Sequence, residues 1–545
     1  MIRRALFTIS VLVLYNVLFF FSDNPWFVYF PKKTLLIISG LVLLIYVIQL
    51  LTQRSNSNFL NLNSKFKNII LIFLLLISFL FMVFFPIQNL NLGDGVILLE
   101  HVALEAKIFG FHLTMDEILE AMIHSVIFAR YSNLFDSPME VYRIISTLFG
   151  LCALGILGYY FKKFKMNLSS YLLILSSGGI YLFHGYSENY TIITTFLWLY
   201  ILYIVNTIRK NDIRNLNALI PICLIACILI LLHLVSGYLI FSLVFLCFHF
   251  SDRGKFLKNA IVSTFFSLLV LLPVFLYFTF FSEVRFDFTQ THLTNPKFYP
   301  LSKIISKTHF RDILFCIIGS AFFGSIVLLY TFVFYRENVL SLFRKPEYRF
   351  LGLVLLGFLL HGFVHYPQLG FPADWDLLAF FWSPIVFIAA FLLNDIKNIE
   401  DNSNKPQNYI SHEMLALFVF SILVFGFNGV YLNQPDEQKI NDLKSSIDRV
   451  NQFAKTEESD FLKQVKPEYK KFYLKVSFFL FESMDKIKSK STESDLVAKK
   501  LLLENKSFRE ELMNQISNVD IKWQKDFYAR LTKYHLEYLD FLKIK

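Results

Sequence analysis

A few ionisable side chains stand at the ends of long apolar runs, and their types could do chemistry. Asp94, between Gly93 and Gly95, follows the apolar run 68–86. A carboxylate there is either a solvated loop residue or a general base facing a reaction centre. Arg143 opens the run 141–161, where it either snorkels to headgroups or grips a lipid-linked phosphate. Glu188 is the acid of a very short turn that also carries His184, Tyr186 and Tyr190. Tyr at such a place is also a common interfacial anchor. His184 and Glu188, with Asp94, could supply metal ligands, but spacing alone does not single out that reading. His233 separates two apolar runs with almost no loop, a place for a structural hydrogen bond or a substrate contact. Asp374 and Asp376 flank Trp375 at the start of another run, where they can cap a helix and favour its positive end. His361 and His365 share one helix face and read as interfacial.

The elements that must position these groups follow from composition. Of 545 residues, 55% are apolar and 17% charged. Soluble domains run about 45–50% apolar and about 25% charged, so an ordinary soluble enzyme, a disordered chain and a disulfide scaffold are excluded. The five cysteines all lie in apolar stretches and read as small packing residues. The net charge of +10 comes without a basic tract interleaved with aromatics, so no nucleic-acid partner is expected.

A helix needs about 20 apolar residues to cross the hydrocarbon. Thirteen stretches qualify: 5–22, 34–52, 68–86, 141–161, 168–184, 190–208, 216–232, 234–250, 258–281, 312–335, 350–366, 377–394 and 411–432. The first reads as an uncleaved anchor rather than a signal peptide. With the N-terminus inside, the inner segments hold 20 Lys and Arg, among them Arg54, Lys162, Lys163, Arg209 and Arg253, against eight in the longer outer segments. This asymmetry sets the N-terminus on the cytoplasmic side of the plasma (inner) membrane and the C-terminal segment outside. The long outer loops are then 87–140 and 282–311, and chemistry is expected on the outer face.

Within 87–140, residues 96–109 read as a short amphipathic helix. Thr114-Met115-Asp116-Glu117 has the capping-box pattern. Behind it Met115, Ile118, Leu119, Met122, Ile123 and Val126 form an apolar stripe, leaving Asp116, Glu117, Glu120 and His124 for the surface. These helices should lie at the interface as a lid or platform. The domain reading is a pair of additional transmembrane helices in 1–67, a catalytic transmembrane domain in 68–432, and an extracytoplasmic α-helical domain in 433–545. The fold class is all-α, a polytopic transmembrane helix bundle.

The pattern resembles the GT-C-type glycosyltransferases, polytopic enzymes that use polyprenyl-phosphate sugars, among them protein mannosyltransferases and aminoarabinose transferases. The family's acid in the first long outer loop is matched by Asp94 in Asn91-Leu92-Gly93-Asp94-Gly95. Its arginine opening the next span is matched by Val141-Tyr142-Arg143, in a helix ending at Lys162-Lys163. Its second acidic or polar position is matched by His184-Gly185-Tyr186-Ser187-Glu188-Asn189-Tyr190. His233 resembles a later basic residue that opens an apolar helix, and Asp374-Trp375-Asp376-Leu377 is similar to a motif of some bacterial members. The likeness covers roughly 68–250, and is topological from 258 to 394. Two additional spans precede the one that leads into the first acidic loop here, and Gly95 stands where the family often has a second acid, which leaves the divalent-cation requirement open.

The resemblance implies transfer of a sugar from a polyprenyl-phosphate donor to an acceptor hydroxyl, with inversion. Asp94 would be the base and Arg143 the phosphate contact. Glu188 would orient sugar or acceptor, Asp374 and Asp376 would shape the acceptor side, and His184, Tyr186 and His233 would line the substrate. The acceptor class is a protein, a lipid or a glycan. Two rivals are a multi-pass transporter, which would place its polar groups near the midplane, and an O-antigen polymerase or ligase, which would use arginines on a large outer loop.

Overall fold

The computed structural model describes residues 2–21, 35–44, 64–88, 117–135, 137–210, 219–249, 256–280, 298–366 and 379–401, with single positions in 95–106 and 420–445. Asp94, Thr114, Asp116, Asp374, Asp376 and nearly all of the expected domain 433–545 lie outside the described residues.

The described residues form helices, joined by one isolated bridge between Phe298 and His365. In order they are α1 (Ile2–Phe21), α2 (Leu35–Leu44), α3 (Ser64–Phe84), α4 (Ile118–Arg130), α5 (Pro138–Phe164), α6 (Leu168–Leu175), α7 (Thr191–Arg209), α8 (Leu219–Leu232), α9 (Ile240–His249), α10 (Phe256–Phe280), α11 (Leu301–Ile304), α12 (Lys307–Phe334), α13 (Arg336–Leu342), α14 (Pro346–Val364) and α15 (Trp382–Asp401). Five of them, α5, α7, α10, α12 and α14, are long and apolar enough to cross a membrane. The protein is a polytopic helix bundle with an apolar coat. Leu257, Ile261, Phe265, Leu268 and Leu272 all stand exposed on α10, as a lipid-facing surface requires.

Two expected spans are interrupted. Residues 168–184 fold as α6 followed by a tighter 3₁₀ turn, Gly178–Phe183. Ser176 and Ser177 bond back to the carbonyls of Leu173 and Ile174. Gly179 then lies directly against the Trp382 indole, which a Cβ would overlap. Residues 234–250 likewise begin as a 3₁₀ turn, Leu234–Leu239, before α9. An apolar run sets the length of a span but not the pitch of its backbone.

The core runs along α7. Trp198 is fully buried, its ring edge-on to Phe183, Trp382 and Phe387, while its Nε1 donates to Ser383 Oγ at 3.0 Å. Helix α5 packs along α7, and α12 along α15. At the C-terminal end of α7, Arg209 meets Asp395 Oδ2 at 2.6 Å and Glu347 at 3.5 Å, with Tyr348 donating to the same Asp395 oxygen at 2.9 Å. The guanidinium also lies over the Phe164 and Phe391 rings. The N-terminal end of α7 carries Glu188 and its turn. Helix α7 has 19 residues, so the two polar rims stand about 28 Å apart, close to one hydrocarbon thickness.

Candidate active site at one rim of the bundle

The turn between Phe183 and Thr191 is buried throughout, which is unusual for a connection. Glycine makes its geometry available. Gly185 adopts φ +73°, and a Cβ there would press on Pro86 and on Arg143 Cγ at 3.2 Å. The Gly185 amide donates to Ser146 Oγ at 3.1 Å, and Ser146 in turn donates to the Leu182 carbonyl at 2.9 Å. Thr191 Oγ1 reaches the same carbonyl. One serine of α5 thus pins the turn that carries His184, Tyr186 and Glu188, one helical turn from Arg143.

Arg143 sits where the sequence places it, on α5 after Ser137 at the N-cap and Pro138 at the first position. Its stem lies over Gly185, Nη2 approaches Met139 Sδ at 3.5 Å, and the buried Nε has no hydrogen-bond partner. His184 is buried, its Nδ1 likewise without a partner, and the Ser187 hydroxyl is the third such group. Glu188 is 1% exposed and Tyr186 3%.

Ile87 and Gly95, from the segment that follows α3, both lie against this same turn. Ile87 N–H donates to the His184 carbonyl at 2.6 Å. Gly95 is buried so closely that a Cβ would stand 2.7 Å from the Ser187 carbonyl oxygen and 3.4 Å from Glu188 Oε1. Beyond it Leu98, Leu99, Val102, Ala103 and Ala106 are helical and buried, the single face expected of an amphipathic helix over 96–109. Arg143, His184, Tyr186 and Glu188 are therefore brought to one rim, with Gly95 against them.

His233 reaches the rim by a different route. It caps the Leu234–Leu239 turn, with φ −160° and ψ 131°, and its Nδ1 accepts from Val235 N–H at 3.1 Å. That leaves the ring proton on Nε2, which faces Glu117 Oε1 at 3.2 Å. The ring stacks on Tyr190 and meets Phe380 edge-on. His361 and His365 stack on each other, with His361 buried.

Three further polar residues at the rim are not singled out by the sequence. Asn189 accepts from Tyr142 OH at 2.9 Å and donates to Glu117 Oε2 at 2.6 Å. Glu120 and His124, expected on the surface of α4, are instead 0% and 2% exposed, whereas Met122 and Val126 of the apolar stripe are open. Glu120 Oε1 accepts from Ile192 N–H at 3.3 Å, so a carboxyl of α4 caps α7 from outside. Burial holds that carboxyl well above the usual range, neighbouring Glu117 adds to the rise, and the amides of Ile192, Ile193 and Thr191 oppose it. His124 donates from Nδ1 to the Glu120 carbonyl at 2.8 Å and stacks on Tyr142 with ring centroids 3.8 Å apart. Burial pushes its imidazole down to about 4. The capping-box reading is not what fixes α4: Glu117 is its N-cap residue and makes no side-chain cap bond.

The chain is similar to two solved structures of ArnT from Cupriavidus metallidurans. The one bound to undecaprenyl phosphate matches with a TM-score of 0.45 and 11% identity, over 70% of this chain and 79% of that chain. The one in the apo state matches with a TM-score of 0.40 and 10% identity, over 67% and 76%. No family model and no curated protein matches the chain.

Among the described residues no three His, Cys, Asp or Glu side chains converge with the geometry of a metal site. The rim offers a cation with a buried unsatisfied N–H on α5 and, on a turn held by backbone and serine bonds, a buried imidazole, a buried hydroxyl and a buried carboxyl. Such a set can hold an anionic group beside an acid or base.

Proposed function

We propose that the protein is a membrane glycosyltransferase that moves a sugar from a polyprenyl-phosphate donor to an acceptor hydroxyl at the extracytoplasmic face. The observation that carries this reading is the docking of Gly95 on Ser187 and Glu188, one turn from Arg143. Asp94 is the chain neighbour of Gly95. Ile87 and Gly95, which precede and follow it in the chain, both lie against the His184–Glu188 turn.

In this reading Arg143 binds the donor phosphate, with His184 and Ser187 offering further polar contacts. A lipid phosphate leaves readily and needs little acid assistance. Asp94 takes the proton of the acceptor hydroxyl as that oxygen attacks the anomeric carbon. The bond to phosphate breaks on the opposite side, and the configuration inverts. Glu188 orients the sugar or the acceptor, and Tyr186 lines the pocket. Asp374 and Asp376 shape the acceptor side. An apolar surface between spans holds the polyprenyl chain. The acceptor is a protein, lipid or glycan hydroxyl, and a divalent cation can assist at the phosphate.

Purified Asp94→Asn and Glu188→Gln variants test the assignment against a radiolabelled polyprenyl-phosphate sugar. Loss of transfer by about 100-fold or more in Asp94→Asn is expected of a missing general base. Wild-type turnover in that variant, at equal folded protein, rejects the role.

A further inference from the structure

We infer that Glu117 and His233 are positioning residues that fix the separation of Arg143 and Glu188 through Asn189 and Tyr142. This inference rests on the proposed function for calling Arg143 and Glu188 catalytic; the relay itself is geometry.

The relay joins four separate elements. Val235 N–H donates to His233 Nδ1, His233 Nε2–H faces Glu117 Oε1 at 3.2 Å, Asn189 Nδ2 donates to Glu117 Oε2 at 2.6 Å, and Tyr142 OH donates to Asn189 Oδ1 at 2.9 Å. Each atom plays one role, and the sequence of roles is directional. Turning the Asn189 amide over would set its oxygen against the Glu117 carboxyl, so the carboxyl fixes the amide and the amide fixes the phenol. Both carboxyl oxygens are committed, which leaves Glu117 poorly placed to meet substrate.

The relay's ends are what give it a purpose. Tyr142 is the chain neighbour of Arg143, and Asn189 is the chain neighbour of Glu188. Tyr190, on the other side of Asn189, stacks on His233 itself. His233 stands at a break in the backbone between α8 and the Leu234–Leu239 turn, so it enters from a third helix pair. Arg143 and Glu188 lie on different elements, and each is one peptide from a member of the same hydrogen-bonded chain. Displacing reacting groups by about 1 Å costs on the order of 100-fold in rate, so a device that sets this spacing is worth its burial.

The test uses the full-length protein in nanodiscs, with His233→Phe, His233→Gln and Tyr142→Phe. Phenylalanine keeps a ring against Tyr190 and Phe380 but removes both ring nitrogens. Glutamine restores an N–H near Nε2. Tyr142→Phe removes one hydroxyl and leaves the stack on His124 in place, so it folds even if the His233 variants do not. Loss of a hydrogen bond to a charged group is expected to lower kcat about 10-fold in His233→Phe, with KM for the donor unchanged. Hydrogen exchange of the peptide 185–194 should speed up alongside. His233→Gln should recover most of both. The double variant His233→Phe/Tyr142→Phe should be no slower than the slower single, because both cut one chain. Wild-type kcat and exchange in His233→Phe and Tyr142→Phe overturn the inference, and so does His233→Gln behaving as His233→Phe. A wild-type protein that transfers no sugar fails the proposed function instead; exchange at 185–194 then decides the relay alone.

Discussion

Replacing Gly95 by alanine is the sharpest probe of whether the outer loop and the Glu188 turn form one site. The new methyl would stand 2.7 Å from the Ser187 carbonyl oxygen, whereas ordinary contact begins near 3.4 Å. The obstacle is backbone, in a turn already pinned by Ser146, so it cannot swing aside as a side-chain tip would. The loop must back away by about 0.7 Å, and misplacement of that order costs roughly 10- to 100-fold in rate. Stability should fall by no more than about 2 kcal/mol, which the count of folded molecules corrects for. Overpacking costs about 1–3 kcal/mol, but Gly95 is helical, and alanine there regains up to about 1 kcal/mol. The assay is kcat for sugar transfer per folded molecule in nanodiscs. Gly155→Ala in α5, where a Cβ meets nothing within 4 Å, is the matched control and should stay within about twofold of wild type. Gly95→Ala turning over at the wild-type rate would show that the loop's approach to Ser187 does not matter to the chemistry, and the proposed site would fall.

Two further outcomes are expected. The His124 imidazole ionises near 6.5 when unfolded and is pushed down to about 4 in the fold. Stability from this group is therefore full above pH 6.5 and declines as pH falls towards 4, by up to about 3 kcal/mol. His124→Phe, which keeps a ring on Tyr142, should flatten the acid side of a midpoint-versus-pH curve measured in nanodiscs; an unchanged slope would show that His124 is not its source. Gly179→Ala would drive a methyl into the Trp382 indole and should destabilise by about 1–3 kcal/mol. An unchanged midpoint in thermal unfolding would show that the Gly178–Phe183 turn and α15 are not held this closely.

The rim residues were legible because charge is scarce in an apolar chain. Arg143, His184 and Glu188 each interrupt or end an apolar run, and the Lys and Arg asymmetry assigns those ends to one face. The helical, buried positions Leu98, Leu99, Val102, Ala103 and Ala106 were legible from their period, whereas Gly95, which reads as a turn residue, is itself helical. The partnership of Glu117 with His233 was not, because it joins loop to loop across the fold, where no local period records it. The expected apolar stripe of α4 is only partly inward: Ile118 is buried and Leu119 and Ile123 half-buried, while Met122 and Val126 are open. A helix at the edge of a bilayer can turn Met122 and Val126 towards lipid, so its apolar stripe need not mark the core. Its buried face then carries Glu120, whose Oε1 accepts from Ile192 N–H, and His124, whose Nδ1 donates to the Glu120 carbonyl.

The tightened backbone from Gly178 to Phe183 changes the reach of the chain. Six residues wound as a 3₁₀ helix advance about 12 Å, against about 9 Å in α-helical form. That stretch carries the chain to His184 and Glu188 some 3 Å farther along the turn's own axis than an α-helix of equal length would. A relaxation of this one segment to α-helix would shorten that reach by about 3 Å and pull both side chains away from Arg143 and Gly95, so the assembly of the rim depends on six residues of winding.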